Sequence, residues 1–196
     1  MIAVLDYGAG NLRSVQNSLE AVGVRYEIVR EAEGLRRAGK IILPGVGHFG
    51  QMIRALDELD VRETLKHQVK SGVPFFGICL GLQALFEGSA EAPEEHGLGI
   101  LPGRVERFPT TARVPHMGWN EVVRKGTSQL LPADHAEHFY FANSFYAPVV
   151  AATSGVCHYS LDFTAVVEME NVFGVQFHPE KSGAAGLEIL RRFGAL

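Results

Sequence analysis

The chain has 196 residues, of which 46% are hydrophobic and 20% charged, and its formal net charge is −4. That composition excludes a disordered chain and supplies material for the core of one domain, expected over 1–196. The mild negative balance argues against nucleic acid or a membrane surface as a partner.

Ile2-Ala3-Val4-Leu5-Asp6-Tyr7 reads as a short apolar strand and Gly8-Ala9-Gly10 as a loop. Asn11 is placed to cap a helix with Leu12, Val15, Leu19 and Val22 on one face, and Gly23 to stop it. Gly8-x-Gly10-x-x-Arg13 lacks the third glycine of a dinucleotide fingerprint. Val24–Val29 reads as a second strand. Ile41-Ile42-Leu43 carries a third into Pro44-Gly45-Val46-Gly47. A helix bearing Met52, Ile53, Leu56 and Leu59 follows, then another from about Val61 to Lys70. Short apolar strands alternating with amphipathic helices predict a parallel sheet covered on both faces. Sites in such sheets lie at the carboxyl ends of the strands.

The next strand, Val73–Ile78, ends in Gly77-Ile78-Cys79-Leu80-Gly81 and passes into a helical pattern through Leu82, Leu85 and Phe86. Two glycines around a cysteine suit a sharp strand-to-helix turn that exposes the sulfur at a helix N-terminus, where the dipole favours a thiolate. A small buried core cysteine is the alternative. Glu91–Gly97 reads as an acidic surface loop. Strands around Arg104–Phe108, Asn120–Val123, Phe139–Phe141, Gly155–Tyr159 and Ala165–Met169 read as mixed and antiparallel extensions of the same sheet. The strand Val172–Phe177 ends in His178-Pro179-Glu180, and a helix over Gly186–Phe193 closes the pattern. His178 can take and return a proton near neutral pH, and Glu180 can hold the other ring nitrogen. Pro179 between them stiffens the turn. A strand-end cysteine and a strand-end His-Pro-Glu together point to thiol nucleophilic catalysis.

Cys79 and Cys157 are the only cysteines and form no Cys-x-x-Cys, so a free thiol in a reducing, cytoplasmic setting is expected. Met1 leads directly into a strand without a leader, and no apolar run is long enough to span a bilayer. The histidines show no paired metal-ligand spacing.

The Cys79 elbow with Gln83, together with His178-Pro179-Glu180, resembles the class I (triad) glutamine amidotransferases. Asp6-Tyr7-Gly8-Ala9-Gly10-Asn11-Leu12, Leu43-Pro44-Gly45-Val46-Gly47-His48-Phe49 and Pro115-His116-Met117-Gly118-Trp119-Asn120 resemble, more narrowly, the glutaminase subunits of imidazole glycerol phosphate synthases. The resemblance runs end to end. It implies a flavodoxin-like three-layer α/β/α fold on a mixed, mainly parallel sheet. It also implies glutamine hydrolysis through a cysteinyl thioester, with Cys79, His178 and Glu180 as the triad and no cofactor or metal. Leu80 and either Val46 or Gly47 would donate to the oxyanion, and Gly45 and Gln83 would bind glutamine. The ammonia would pass to a (β/α)8-barrel cyclase of histidine biosynthesis, in a heterodimer. Asn11, Pro115, Met117, Trp119, Tyr140 and Lys181 match interface or channel-gate positions. Asn143 stands where the family usually has His, and no gating role is carried onto it.

Each of these positions also has a plainer reading. Gly45–Gly47 could be only a tight turn, Gln83 a helix-surface side chain and Trp119 a core residue. The whole could be another triad amidotransferase subunit, a free γ-glutamyl hydrolase, or a ligand-binding flavodoxin-like module with a redox-sensitive Cys79.

Overall fold

The computed structural model describes residues 1–8, 11–133 and 136–196. In chain order its first half contains β1 (Ile2–Leu5), α1 (Leu12–Ala21), β2 (Tyr26–Val29), α2 (Ala32–Arg36), β3 (Lys40–Leu43), α3 (Phe49–Glu58), α4 (Arg62–Lys70), β4 (Phe75–Ile78) and α5 (Leu80–Gln83). The second half contains β5 (Phe86–Ser89), β6 (Ala92–His96), β7 (Leu101–Arg107), β8 (His116–Arg124), β9 (Glu137–Asn143), β10 (Phe145–Tyr146), β11 (Thr153–His158), β12 (Asp162–Met169) and β13 (Val172–Val175). A single 3₁₀ turn, Pro179–Lys181, then precedes α6 (Gly183–Ala195).

A nine-stranded sheet in the order β2-β1-β3-β4-β13-β12-β11-β8-β9 forms the middle layer. From β2 to β13 every pairing is parallel, and from β13 to β9 every pairing is antiparallel. The alternation of side chains along each strand sends apolar residues to both faces. Ala3, Leu5, Ile41, Leu43 and Phe75 pack with Leu35 of α2, Met52 and Leu56 of α3 and Leu65 of α4. Ile2, Val4, Ile42, Phe76 and Ile78 pack on the other face with Val15 and Leu19 of α1 and Ile189, Leu190 and Phe193 of α6. Three layers result, and the inner parallel strands β1, β4 and β13 are buried on both faces.

Several expectations need correction. The helix expected through Leu85 and Phe86 stops after one turn at Gln83, and the chain enters β5 at Phe86. The segment expected as an acidic loop holds β6, which pairs antiparallel with β5. The strand around Arg104 does not extend the main sheet: β7 belongs to a separate four-stranded sheet, β10-β7-β5-β6. Phe86, Ala92, Leu101 and Val105 bury one side of that sheet against the α3 side of the core, which is why apolar residues sit in an otherwise charged stretch. Asn11 sits before α1 with φ 71° and makes no side-chain cap bond. The loop expected at Gly8–Gly10 falls partly on Ala9 and Gly10, outside the described residues. The short helix α2 had not been anticipated.

On β8, His116 is buried between aromatic rings, stacked on Tyr159 at 4.0 Å and on Phe141 at 4.8 Å. Burial pushes its imidazole down to about 4 from the usual 6.5. The neutral form is therefore the folded form, and its contribution to stability is complete above pH 6.5 and is lost as pH falls toward 4. His116→Phe keeps a ring in the stack and removes the proton uptake. Chemical denaturation between pH 7 and 4 should show the wild-type chain losing roughly 2–3 kcal/mol more than the variant.

Candidate active site

Four strand ends converge at one edge of the parallel half. β1 delivers Tyr7, β3 delivers the Pro44–Gly47 loop, β4 delivers Cys79, and β13 delivers Gln176 and His178. The β4–β13 register pairs Ile78 with Val175, and the Cys79 N–H donates to the Val175 carbonyl at 2.7 Å. The two chains thus stay paired up to the residues that carry the chemistry.

Cys79 is the elbow itself, at φ 52° and ψ −105°, a region that non-glycine residues rarely occupy. The flanking glycines are there for close approach. A Cβ on Gly81 would collide with the Leu43 carbonyl oxygen, and one on Gly77 with the Gly81 carbonyl oxygen. The sulfur faces a cavity of about 270 Å³ whose wall includes Val46, Gln83, Glu91, Asn143, His178 and Lys181.

His178 and Glu180 are both buried, with side-chain exposures of 4% and 1%. His178 Nδ1 lies 2.8 Å from Glu180 Oε1. Burial works against a charged imidazole, but the Cys79 sulfur and the Glu180 carboxylate outweigh it and raise His178 to about 10. The sulfur, ring and carboxylate form a chain of groups in which the protonated ring is held from both sides, by Glu180 at Nδ1 and by Cys79 at the other nitrogen. Asn11 is turned into this chain: its Nδ2 donates to the same Glu180 Oε1 at 2.6 Å. That bond replaces the helix cap expected of it. Glu180 Oε2 is buried with no partner among the described residues.

The loop after β3 carries the conformational freedom of the site. Gly45 is buried, and a Cβ there would meet the Gly81 backbone nitrogen and the Leu80 side chain. Gly47 is exposed at φ 100°, with open space where a Cβ would stand. The Val46 amide lies against the hydroxyl of Tyr7, which is buried and completes no hydrogen bond among the described residues. Burial holds that phenol far above its usual range. Leu80, immediately after the nucleophile, opens α5, where first-turn amides have no intrahelical acceptor.

Gln83 is buried rather than at the helix surface, and both hydrogens of its amide are taken, by the Phe145 carbonyl at 3.0 Å and Gln176 Oε1 at 2.9 Å. The remaining positions form a surface beside the triad. Met117 and Trp119 of β8 are 65% and 57% exposed, so Trp119 is no core residue. Trp119 meets Tyr140 edge to face, and Lys181 Nζ stands 5.7 Å over the Tyr140 ring. The Tyr140 carbonyl accepts the His178 N–H at 2.9 Å. Pro115 is exposed, preceded by a cis peptide bond.

Sequence reasoning missed three residues of the site. Glu91 was assigned to a surface loop, yet it lines the cavity and accepts the Phe49 N–H at 2.7 Å. Asn143 lines it as well, with a buried Oδ1 that has no partner among the described residues. Gln176 lies 3.5 Å from the sulfur through its Nε2. Its signal was available: a glutamine inside the apolar run Val172–Phe177, two residues before His178.

The His178 geometry is testable by NMR titration of the ring. Cys79→Ala removes the largest influence that raises its pKa and leaves burial opposed by Glu180 alone, so the midpoint should drop well below about 10. An unchanged midpoint would separate Cys79 from His178.

The profile of the family described as glutamine amidotransferase class-I matches residues 3–195. The chain is 46% identical over 198 aligned positions to the imidazole glycerol phosphate synthase subunit HisH of Methanothermobacter thermautotrophicus, covering 98% of this chain and 97% of that protein. It is 45% identical to the HisH subunit of Thermus thermophilus, covering 95% of this chain and 93% of that protein. Among solved structures, one described as a glutamine amidotransferase superposes with a TM-score of 0.76 at 22% identity, covering 100% of this chain and 99% of that one. The glutaminase domain of Trypanosoma brucei CTPS superposes with a TM-score of 0.69 at 18% identity, over 99% and 93% of the two chains. These two likenesses speak for the fold alone. With the profile spanning nearly every residue and HisH subunits aligned end to end, the chain belongs to the class-I glutamine amidotransferases.

Proposed function

We propose that this chain is the HisH-type glutaminase of an imidazole glycerol phosphate synthase, acting as a single unit over 1–196 and hydrolysing glutamine to glutamate and ammonia. The observation that carries the chemistry is the buried Cys79–His178–Glu180 alignment facing a cavity of about 270 Å³. Cys79 Sγ attacks the side-chain carboxamide carbon of glutamine. The C–N bond breaks as His178 gives its proton to the departing nitrogen, leaving a thioester and free ammonia. Water then attacks the thioester, His178 takes its proton, and the C–S bond breaks to release glutamate and restore the sulfur. Glu180 orients the ring and balances its charge throughout. The Glu91 carboxylate in the wall suits the α-ammonium of the substrate, Gln83 shapes the wall, and Gly45 lets the loop close on Leu80.

The oxyanion needs two preorganised donors. Leu80 N–H is one. The second comes from the Val46–Gly47 peptide, whose N–H is that of Gly47, while the amide before it, the Val46 N–H, lies against Tyr7. A rotation of the Val46–Gly47 peptide, permitted by the glycine at φ 100°, would bring the Gly47 N–H to the site and serve as the switch between idle and active states. The released ammonia is passed to a (β/α)8-barrel cyclase in a heterodimer. The exposed Met117 and Trp119, with half-buried Tyr140 beside His178, supply an apolar docking face, with Pro115 and Lys181 at its rim. Asn11 lies at that end of the fold but acts inward, on Glu180. Two buried free thiols, Cys79 and Cys157, fit a reducing, cytoplasmic setting. Among the described residues no helix is long and apolar enough to cross a membrane.

Glutamate release from glutamine, measured alone and with the barrel cyclase and its nucleotide ligand, tests this reading. A low rate alone that rises strongly with the liganded partner, and vanishes in Cys79→Ala, supports it. Equal rates with and without partner would keep the chemistry and remove the pathway. Gly47→Val has room for its side chain but cannot hold φ 100°, so partner-stimulated turnover should fall roughly 100-fold while the fold, followed by circular dichroism, is retained. Stimulation persisting in Gly47→Val would eliminate the rotating peptide.

A further inference from the structure

The sulfur of Cys79 has a polar neighbour that the triad does not account for. Gln176 is fully buried, one step beyond the last paired residues of β13 and β4, and its Nε2 lies 3.5 Å from Cys79 Sγ. Which end of its amide faces the sulfur is fixed by the bonds behind it. The Phe145 carbonyl can only accept, and it receives Gln83 Nε2 at 3.0 Å and Asn143 Nδ2 at 2.9 Å. Gln83 must therefore present its nitrogen. Its second hydrogen goes to Gln176 at 2.9 Å, so Gln176 must present its oxygen there. The NH₂ of Gln176 is left pointing at the sulfur, where it can donate and cannot accept.

We propose that Gln176 is a further catalytic residue, a fixed hydrogen-bond donor to Cys79 Sγ that favours the thiolate, and that Gln83 is the residue that positions it. The inference deepens the glutaminase reading, since it assigns the sulfur a role as nucleophile. A donor held by a buried relay meets an anionic acceptor with greater strength than a neutral one. At zero exposure, water has no room to replace it. When the sulfur becomes a thioester its charge is gone, so the bond favours the resting nucleophile and its regenerated form. The role assigned to Gln83 follows from the same chain: it acts through Gln176.

The other ionisable groups around the sulfur are His178 from the turn after β13, Tyr7 from the end of β1, and Glu91 and Lys181 in the cavity wall, with Glu180 behind His178. All are kept in the variants below, so a change in thiol titration reports on the relay.

The experiment is the pH dependence of iodoacetamide alkylation of the full chain. Cys157 is buried with its thiol pushed up to about 12, and Cys79→Ala supplies the blank. Gln176→Met should move the acid-side midpoint upward by about one pH unit, equivalent to about tenfold less thiolate below the midpoint. Its glutaminase kcat should fall about tenfold with KM held. Gln83→Met should move the midpoint in the same direction, and the double variant no further than Gln176→Met alone. A midpoint that stays in place in a folded Gln176→Met chain overturns the proposal. Should that variant not fold, an unmoved midpoint in Gln83→Met overturns it equally. Failure of glutamine to protect wild-type Cys79 from alkylation would instead count against the glutaminase reading, and the midpoints would still decide the relay.

Discussion

The parallel pairing of β4 with β13 is the constraint on which the site depends. These strands are neighbours in the sheet but nearly a hundred residues apart in the chain. Their register, Ile78 opposite Val175, sets Cys79 level with Gln176 and two residues short of His178. A parallel pair slipped by one residue would turn Cys79 or Gln176 into the opposite face, and slipped by two would separate sulfur from imidazole. Register is enforced by burial: Phe76 and Phe173 pack on one face with α6, and Phe75 and Val172 on the other. The core therefore does more than stabilise the fold. It sets the distance between two reacting groups with the stiffness of close packing.

Burying a cation and a carboxylate together is costly, and replacing such a pair with apolar side chains would often be no worse for stability. Here the pair is almost fully enclosed, and the carboxylate carries an added donor from Asn11. The arrangement makes sense as chemistry. A ring held protonated to about 10 remains a proton donor across the neutral range. The low-polarity surroundings strengthen its attraction to the sulfur. The strained backbone at Cys79 belongs to the same trade, since its conformation costs stability and gains exposure of one side chain at a strand end.

Legibility in the sequence followed the physics of each segment. The parallel half was readable because strands buried on both faces are short unbroken apolar runs, separated by helices of clear period, and Ile2–Leu5 and Phe75–Ile78 are of that kind. That Cys79, His178 and Glu180 come together was readable because the Cys79 glycines and Pro179 mark sharp turns at strand ends. The second sheet was not readable. β6, Ala-Pro-Glu-Glu-His, has one buried anchor, Ala92, and its charged residues face outward, so composition alone gave a loop. The one-turn α5 was hidden for the opposite reason: Leu82, Leu85 and Phe86 continue an apolar pattern although the last of them already lies in β5. Asn11 had the residue type and position of a helix cap. Only the fold, by bringing residue 180 beside residue 11, offered its amide a charged acceptor in place of a backbone N–H.

The division of the site between rigid and adjustable parts bears on where control can reside. The sulfur is fixed by a sheet bond, by glycines in contact with backbone, and by an amide whose own partners are buried. The His178 ring is held by Glu180 and its backbone by the Tyr140 carbonyl. Moving any of these would break packing across the centre of the molecule. The loop after β3 differs along its length. Gly45 is clamped under Leu80 and Gly81, while Gly47, two residues on, is exposed, unobstructed and in a backbone region that glycine alone occupies without strain. A signal arriving at the exposed face of β8 and β9 would thus meet a triad already assembled. Among the described residues beside the sulfur, the Val46–Gly47 peptide is the freest, and it is the one proposed to turn, while the Val46 N–H before it lies against the Tyr7 hydroxyl. On the proposed reading, control over a donor with the nucleophile left in place would keep the site preorganised and let it switch on without rebuilding the core.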